Sequence, residues 1–174
     1  MVGRREFVAG ATALALSGCG RKATDDTPGG APRVRTTSEL GDIELFTAAH
    51  ALELSDARRY EALAAGSSGA LKSMYEQFRR IELDHAARAA RAITDLGGRV
   101  PEPDPEAGAT TRDAQELEGN AIAFYVDMLP KVYAPKLRPV VASILAVEAE
   151  QLAQLRAMDA QSPAPDAFVY GFKT

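Results

Sequence analysis

Apolar side chains recur at alternating steps of three and four residues in four separate stretches, the period of a helix that buries one face. The first runs from about Ser38 to Ala65, with Leu45, Ala49, Leu52, Asp56, Tyr60 and Leu63 inward and Glu53 beside Leu52. Thr36, with Glu39 three residues on, predicts a capping box at its start, and Gly66 predicts its C-cap. The tight Ser67-Ser68-Gly69 connection sends the second helix back antiparallel. Its inward face reads Leu71, Tyr75, Phe78, Glu82, His85, Ala89, Ala92 and Leu96, and Gly97-Gly98 ends it. The third covers about Arg112 to Leu129, with Ala114, Glu118, Ala121, Tyr125 and Met128 inward. The fourth begins between Pro135 and Pro139, because a proline is tolerated only near a helix start. It continues to about Ala160 with Val141, Ile144, Glu148, Gln151, Leu155 and Met158 inward. Gly98 to Thr111 holds three prolines and no apolar period. Extended, those residues reach about 46 Å, enough to run along a helix of about 42 Å. The expected fold is all-α: an antiparallel four-helix bundle with a long connection between helices two and three.

Every inward stripe carries a carboxylate where its period demands a core residue, and the two halves of the chain carry them in register. Glu53 is followed seven residues later by Tyr60, and Glu118 seven residues later by Tyr125. Ile81-Glu82 with His85 corresponds to Val147-Glu148 with Gln151. Two hairpins with the same polar insertions imply a pseudo-twofold bundle whose centre gathers Glu53, Glu82, Glu118 and Glu148. Four bare carboxylates cannot all stay ionised in a dry core, so protons or cations must neutralise them. Glu82 and His85, one turn apart on one helix face, can both point at a single metal ion. Asp56 is inward and has only Ala121 as its counterpart, which makes it an acceptor for His85, an additional ligand or a polar group near a solvent opening. His50, one turn before Glu53, is a further candidate ligand at the edge of the stripe. Tyr60 and Tyr125 are placed to hydrogen-bond the carboxylates. Glu116 and Glu150 sit about 200° around their helices from Glu118 and Glu148 and read as solvated; Arg79, Arg80, Arg88 and Arg91 read as an exposed face.

Composition and the N-terminal segment bound the setting. Arg4-Arg5-Glu6-Phe7-Val8 opens a basic segment, Phe7 to Gly18 is short and apolar, and Leu16-Ser17-Gly18-Cys19 has the form of a bacterial lipobox. Residues 1–18 are therefore expected to be an export signal resembling the twin-arginine type, with Cys19 as the lipidation site. Cys19 is the only cysteine, which excludes an intramolecular disulfide. Residues 19–37 are polar and rich in proline and glycine, the composition of a flexible tether of roughly 25 Å average reach. Loss of Arg4, Arg5 and Glu6 takes 20 basic and 24 acidic residues to 18 and 23, a net charge of −5. That balance, with no basic stripe, argues against nucleic acid as a partner. The bundle is expected over 38–161, with 162–174 a tail whose Phe168-Val169-Tyr170-Gly171-Phe172 packs back on it.

From Glu44 to Met158 the chain resembles the ferritin-like superfamily, and within it the bacterial ferritin-like domain proteins of the envelope. Ala51-Leu52-Glu53 through Tyr60, Glu82 to His85, Leu117-Glu118 with Ala121-Ile122-Ala123-Phe124-Tyr125, and Ser143-Ile144-Leu145-Ala146-Val147-Glu148 carry the resemblance. It implies a four-helix bundle with a di-metal site where the ligands are kept. Glu53 and Glu118 match the single carboxylates, Glu82 and His85 the first Glu-x-x-His, and Glu148 the Glu of the second. Gln151 stands where many di-iron members have His, and an amide oxygen is the poorer ligand; His on one half and Gln on the other resembles the asymmetric oxidation site of eukaryotic ferritins. The implied protein is exported and held at the outer face of the membrane through lipidated Cys19. It binds one or two iron or manganese ions and, if active, oxidises Fe(II) with oxygen or peroxide. A metal-free bundle serving as a structural or partner-binding module is the alternative, metal storage without turnover is a weaker one, and a homodimer is compatible with either.

Overall fold

Helix α1, Thr37–Ala65, starts on its capping box: the Thr36 N–H donates to the Glu39 carboxylate (2.9 Å) and the Glu39 N–H to Thr36 Oγ1 (3.2 Å). In this computed structural model residues 36–104 and 113–165 are described. The expected export signal, Cys19, the expected tether up to residue 35 and the Phe168–Phe172 tail lie outside them. Helix α2, Gly69–Asp95, ends at the expected glycine pair: Gly97 takes a φ of 75°, and the Gly98 N–H donates to the Ile93 carbonyl (2.7 Å). A Cβ on Gly98 would stand 2.7 Å from Ile93 Cγ2, so this close approach requires glycine. Helix α3, Ala114–Met128, is capped by Asp113, which accepts from the Gln115 and Glu116 N–H groups. Two 3-10 turns, Leu129–Lys131 and Pro135–Leu137, lead into α4, Arg138–Met158. The third and fourth helices are thus shorter than the expected spans, because Asp113 stops α3 at its start and the prolines divide the α3–α4 junction. No strand occurs among the described residues.

One cavity places the starts of α2 and α3. The start of α2 (Leu71, Met74, Tyr75), the start of α3 (Asp113, Ala114, Gln115) and the end of α4 (Leu155, Met158) line one surface cavity of about 370 Å³. Helices α2 and α3 therefore begin at the same end and run parallel. The described part of the connection, Leu96 to Asp104, leaves from the far end of α2. Along the way Arg58 of α1 donates to the Asp104 carbonyl.

Burial divides the interior into three layers. Phe46, Ala49, Ala89, Ile93, Met128, Val141 and Ile144 belong to an apolar cluster at one end. Tyr60, Phe78, Ala114, Leu117 and Leu155 form another at the other end, with Tyr60 edge-on to Phe78 at 5.4 Å. Between them on every helix fall the polar residues: Glu53 and Asp56, Glu82 and His85, Glu118, Glu148 and Gln151. The α1 stripe differs from the expected one. Leu45, Leu52 and Leu63 are only half-buried, whereas Phe46, Glu53 and Ala57 are fully inside. The stripe turns because Glu53, not Leu52, points at the middle of the bundle. Met158 is half exposed rather than inward, since α4 ends on it.

Asp42, 1 % exposed, ties the start of α1 to the end of α3: its two carboxylate oxygens accept the N–H groups of Tyr133 and Ala134, each at 2.8 Å. An unpaired buried N–H costs about 1–3 kcal/mol, so this one side chain fixes the register of α1 against the α3–α4 junction.

Candidate metal centre

The four carboxylates expected at the centre, Glu53, Glu82, Glu118 and Glu148, are each 1 % exposed, as is Gln151; His85 is 5 % exposed. They meet because each falls one or two turns from apolar residues buried by the same helix face. His85 Nδ1 lies 2.8 Å from Glu148 Oε1, 3.5 Å from Glu82 Oε2 and 3.6 Å from Glu53 Oε2. One donor atom from each of Glu53, Glu82, His85 and Glu148 falls within 4.8 Å of all the others. Divalent transition ions hold nitrogen and oxygen ligands at roughly 2.0–2.2 Å, so donors on opposite sides of one ion stand about 4.2 Å apart. The cluster is close to that size already.

Glu118 joins from the other side, and here the pseudo-twofold is visible in the bonds. Tyr60 of α1 donates to Glu118 of α3, and Tyr125 of α3 donates to Glu53 of α1. His85 of α2 meets Glu148 of α4; Gln151 of α4 donates through Nε2 to Glu82 of α2 (2.6 Å) and to Glu118 (3.0 Å). Gln151 thus takes the place that His85 holds on the other half, but as a hydrogen-bond donor to two carboxylates. The amide does there what a cation would otherwise do.

The electrostatics follow from burial. Desolvation pushes the Glu53 carboxyl well above the usual carboxylate range; His85 opposes this and the charges of Glu148 and Glu82 add to it. Burial likewise raises Glu118, with Glu148 and Glu82 adding and the Tyr60 hydroxyl opposing. It raises Glu148 as well, against the pull of His85. For His85, burial favours the neutral ring, but Glu148, Glu53 and Glu82 around it win and push it up to about 12. Without a cation, burial thus favours the protonated form of Glu53, Glu118 and Glu148, and the acids around His85 favour its charged form.

Protons do not satisfy this centre. Glu53 Oε2, His85 Nδ1, Glu118 Oε2, Glu148 Oε1 and Gln151 Oε1 are buried with no hydrogen-bond partner. His85 Nδ1 and Glu148 Oε1 are within ion-pair range yet not aligned for a bond. Buried polar atoms are rarely left so. Five of them in one place, all metal-ligand types, fit a bound cation.

Other sequence candidates fall differently. Asp56 is buried but accepts from Arg59 Nη1 (2.7 Å) rather than from His85. Its carboxyl is raised to about 7 by burial, with Arg59 opposing. The i, i+3 spacing of opposite charges could have revealed Arg59 as its partner. His50 is buried, and burial lowers its pKa, but it is not among the gathered donor atoms. Glu116 and Glu150 are exposed, as are Arg80, Arg88 and Arg91; Arg79 is half-buried and pairs with Glu61 (3.6 Å).

No curated protein and no solved structure matches the chain. A family model, described as a ferritin-like domain, matches residues 39–161. That span is more than half of the sequence and contains every residue of the buried centre. With the all-helical bundle and the paired carboxylate layer, the chain belongs to the ferritin-like domain family.

Proposed function

We propose that this domain takes up one iron or manganese ion tightly, between Glu53, Glu82, His85 and Glu148, and oxidises Fe(II) with peroxide or oxygen. The observation that carries this reading is the set of unsatisfied donor atoms in the buried layer. A bound ion would supply Lewis acidity and one-electron redox capacity there. The chain's part is to orient the carboxylates through Tyr60 and Tyr125, to hold the imidazole of His85 between three acids, and to keep water out of the layer. Glu118 and Gln151 form the weaker side, because the Gln151 amide already donates to Glu118 there, as it does to Glu82 of the tight site. Two Fe(II) substrate ions give one electron each to hydrogen peroxide, the O–O bond breaks, and two protons complete two waters. With oxygen the same two electrons and two protons yield hydrogen peroxide. Both stoichiometries need a second iron, which in this reading enters on the Glu118–Gln151 side as substrate.

Elemental analysis of protein produced with added iron or manganese is expected to find one to two ions per chain. Fe(II) titration under peroxide is expected to consume two irons per peroxide. A protein that carries no metal under either condition leaves the metal-free bundle, a structural or partner-binding module whose centre is closed by Gln151. One ion with no peroxide consumption leaves metal holding without turnover.

The setting we infer is the outer face of a bacterial membrane, supported by Arg4-Arg5, the apolar run to Gly18 and the lipobox at Cys19. Among the described residues no helix is long and apolar enough to cross a membrane, so Cys19 is the anchor in this reading. Cys19→Ser is expected to move the protein from the membrane to the soluble fraction of an expressing bacterium; unchanged membrane attachment refutes lipidation there.

A further inference from the structure

The two halves of the bundle serve as controls for each other. Glu53 and Tyr60 have counterparts in Glu118 and Tyr125, and Glu82 has one in Glu148, but around these carboxylates the correspondence fails at two places. One is His85 against Gln151. The other is Asp56 and Arg59 of α1, which stand where α3 carries Ala121 and Phe124. Ala121 is buried, and Phe124 is half-buried, edge-on to Tyr125 at 5.1 Å and packed against the apolar cluster at one end. The fold accepts an apolar pair there. On the related face the same positions hold a carboxylate and a guanidinium.

Asp56 is 4 % exposed and lies one turn from Glu53, near enough to Glu82 and Glu148 for their charges to act on it. Arg59 bonds it at 2.7 Å, yet the Arg59 side chain remains 18 % exposed and its Nε is buried without a hydrogen-bond partner. A partly exposed guanidinium is thus bonded to a buried carboxylate that lies one turn along α1 from Glu53, itself 1 % exposed. A cation cannot cross an apolar shell at reasonable cost without a countercharge on the way. A carboxylate left bare there would be equally costly, so it needs a placeholder when no cation is passing.

We propose that Asp56 and Arg59 form the entry latch of the buried centre: an incoming divalent cation displaces Arg59 from Asp56, is held there briefly, and moves on to Glu53. Arg59 and Asp56 are positioning residues, not ligands of the resting ion. The proposal rests on the metal-centre reading above.

A residue on the path, but not in the resting site, changes entry and exit by one factor and leaves their ratio alone. Co(II), which resists oxidation by air, is a suitable probe. Its uptake by chelator-stripped protein is followed by visible absorption in a stopped flow, and its release from loaded protein is followed on adding excess EDTA. In Asp56→Ala, which borrows the residue α3 carries, and in the isosteric Asp56→Asn, both rates are expected to fall at least about tenfold, equivalent to ~1.4 kcal/mol of barrier, with unchanged Kd and stoichiometry. Arg59→Gln is expected to raise both rates. Unchanged rates in the Asp56 variants overturn the latch. So does faster release with weakened Kd, which would make Asp56 a holder of the resting ion. Failure of the unaltered protein to bind Co(II), Fe(II) or Mn(II) at equilibrium instead removes the metal centre itself.

Discussion

Replacing Glu82 and His85 together with alanine is expected to reduce metal affinity by at least about 100-fold, the scale on which even indirect supporters of a metal act, and to remove bound metal from purified protein. Glu82 and His85 supply two of the four donors that already sit within 4.8 Å of one another. Their loss leaves Glu53 and Glu148 on different helices with no shared nitrogen partner. The stability of the metal-free protein gives the second half of the test. His85 lies between three carboxylates and Glu82 accepts from Gln151. Truncation therefore removes a costly buried cluster and, at the same time, opens space in the core. A buried ion cluster is often replaced at no net loss of stability, whereas truncating a core side chain costs about 2–5 kcal/mol. A double Glu82→Leu, His85→Leu variant fills the space. It is expected to melt at or above the metal-free parent, as measured by circular dichroism, and to bind no metal. If that variant retains metal, the ion sits elsewhere; if it cannot fold, the polar layer is a structural requirement.

The stability of the metal-free protein is expected to fall as pH rises from about 4 to about 8. Asp56 titrates at about 7 in the fold against 3.8 when solvated. Between those values the folded chain keeps a proton that the unfolded chain releases. The stability from this group is thus fully present below about 3.8 and is lost as pH climbs through about 7. Glu53, Glu118 and Glu148 are shifted in the same direction by burial. His85 adds with the same sign: held up to about 12 against 6.5, it contributes stability fully present below 6.5 and lost as pH rises towards 12. Each factor of ten in proton affinity is worth about 1.4 kcal/mol. Asp56 alone then accounts for on the order of 4 kcal/mol, a large part of the roughly 5–15 kcal/mol that holds a domain together. Metal loading reverses the trend, because ligands bind metal only after losing their protons. Thermal melts across this pH range, with and without Mn(II), should therefore diverge with increasing pH. A metal-free melting temperature that climbs from about pH 5 to about pH 8 would contradict the protonated centre.

The legible and illegible parts of this centre differ for physical reasons. Glu82, His85, Glu118, Glu148 and Gln151 were readable because each occupies a position that the helical period reserves for the core. A charged residue there stands out against leucine and alanine. Glu53 was found through its repeat with Glu118, while the α1 period itself favoured Leu52, since periodicity counts apolar residues and α1 buries several polar ones. Asp56 reads from the sequence as an acceptor for His85, an additional ligand or a polar group near a solvent opening; its bond to Arg59 follows the i, i+3 spacing of opposite charges. Asp42 gave no signal at all, because the N–H groups it satisfies lie 91 and 92 residues away.

By itself, the order of residues determined four helices, their boundaries to within a few positions, and the repeat that pairs Glu53 with Glu118 and Glu82 with Glu148. Those are local or periodic properties, set by hydrogen bonding within a turn and by which face seeks burial. Only the folded arrangement decided that α2 and α3 run parallel, that Tyr60 and Tyr125 cross to each other's carboxylate, and that Gln151 donates to two acids while His85 faces three. Side-chain direction across a bundle depends on how four surfaces interlock, and no window along one chain contains that information.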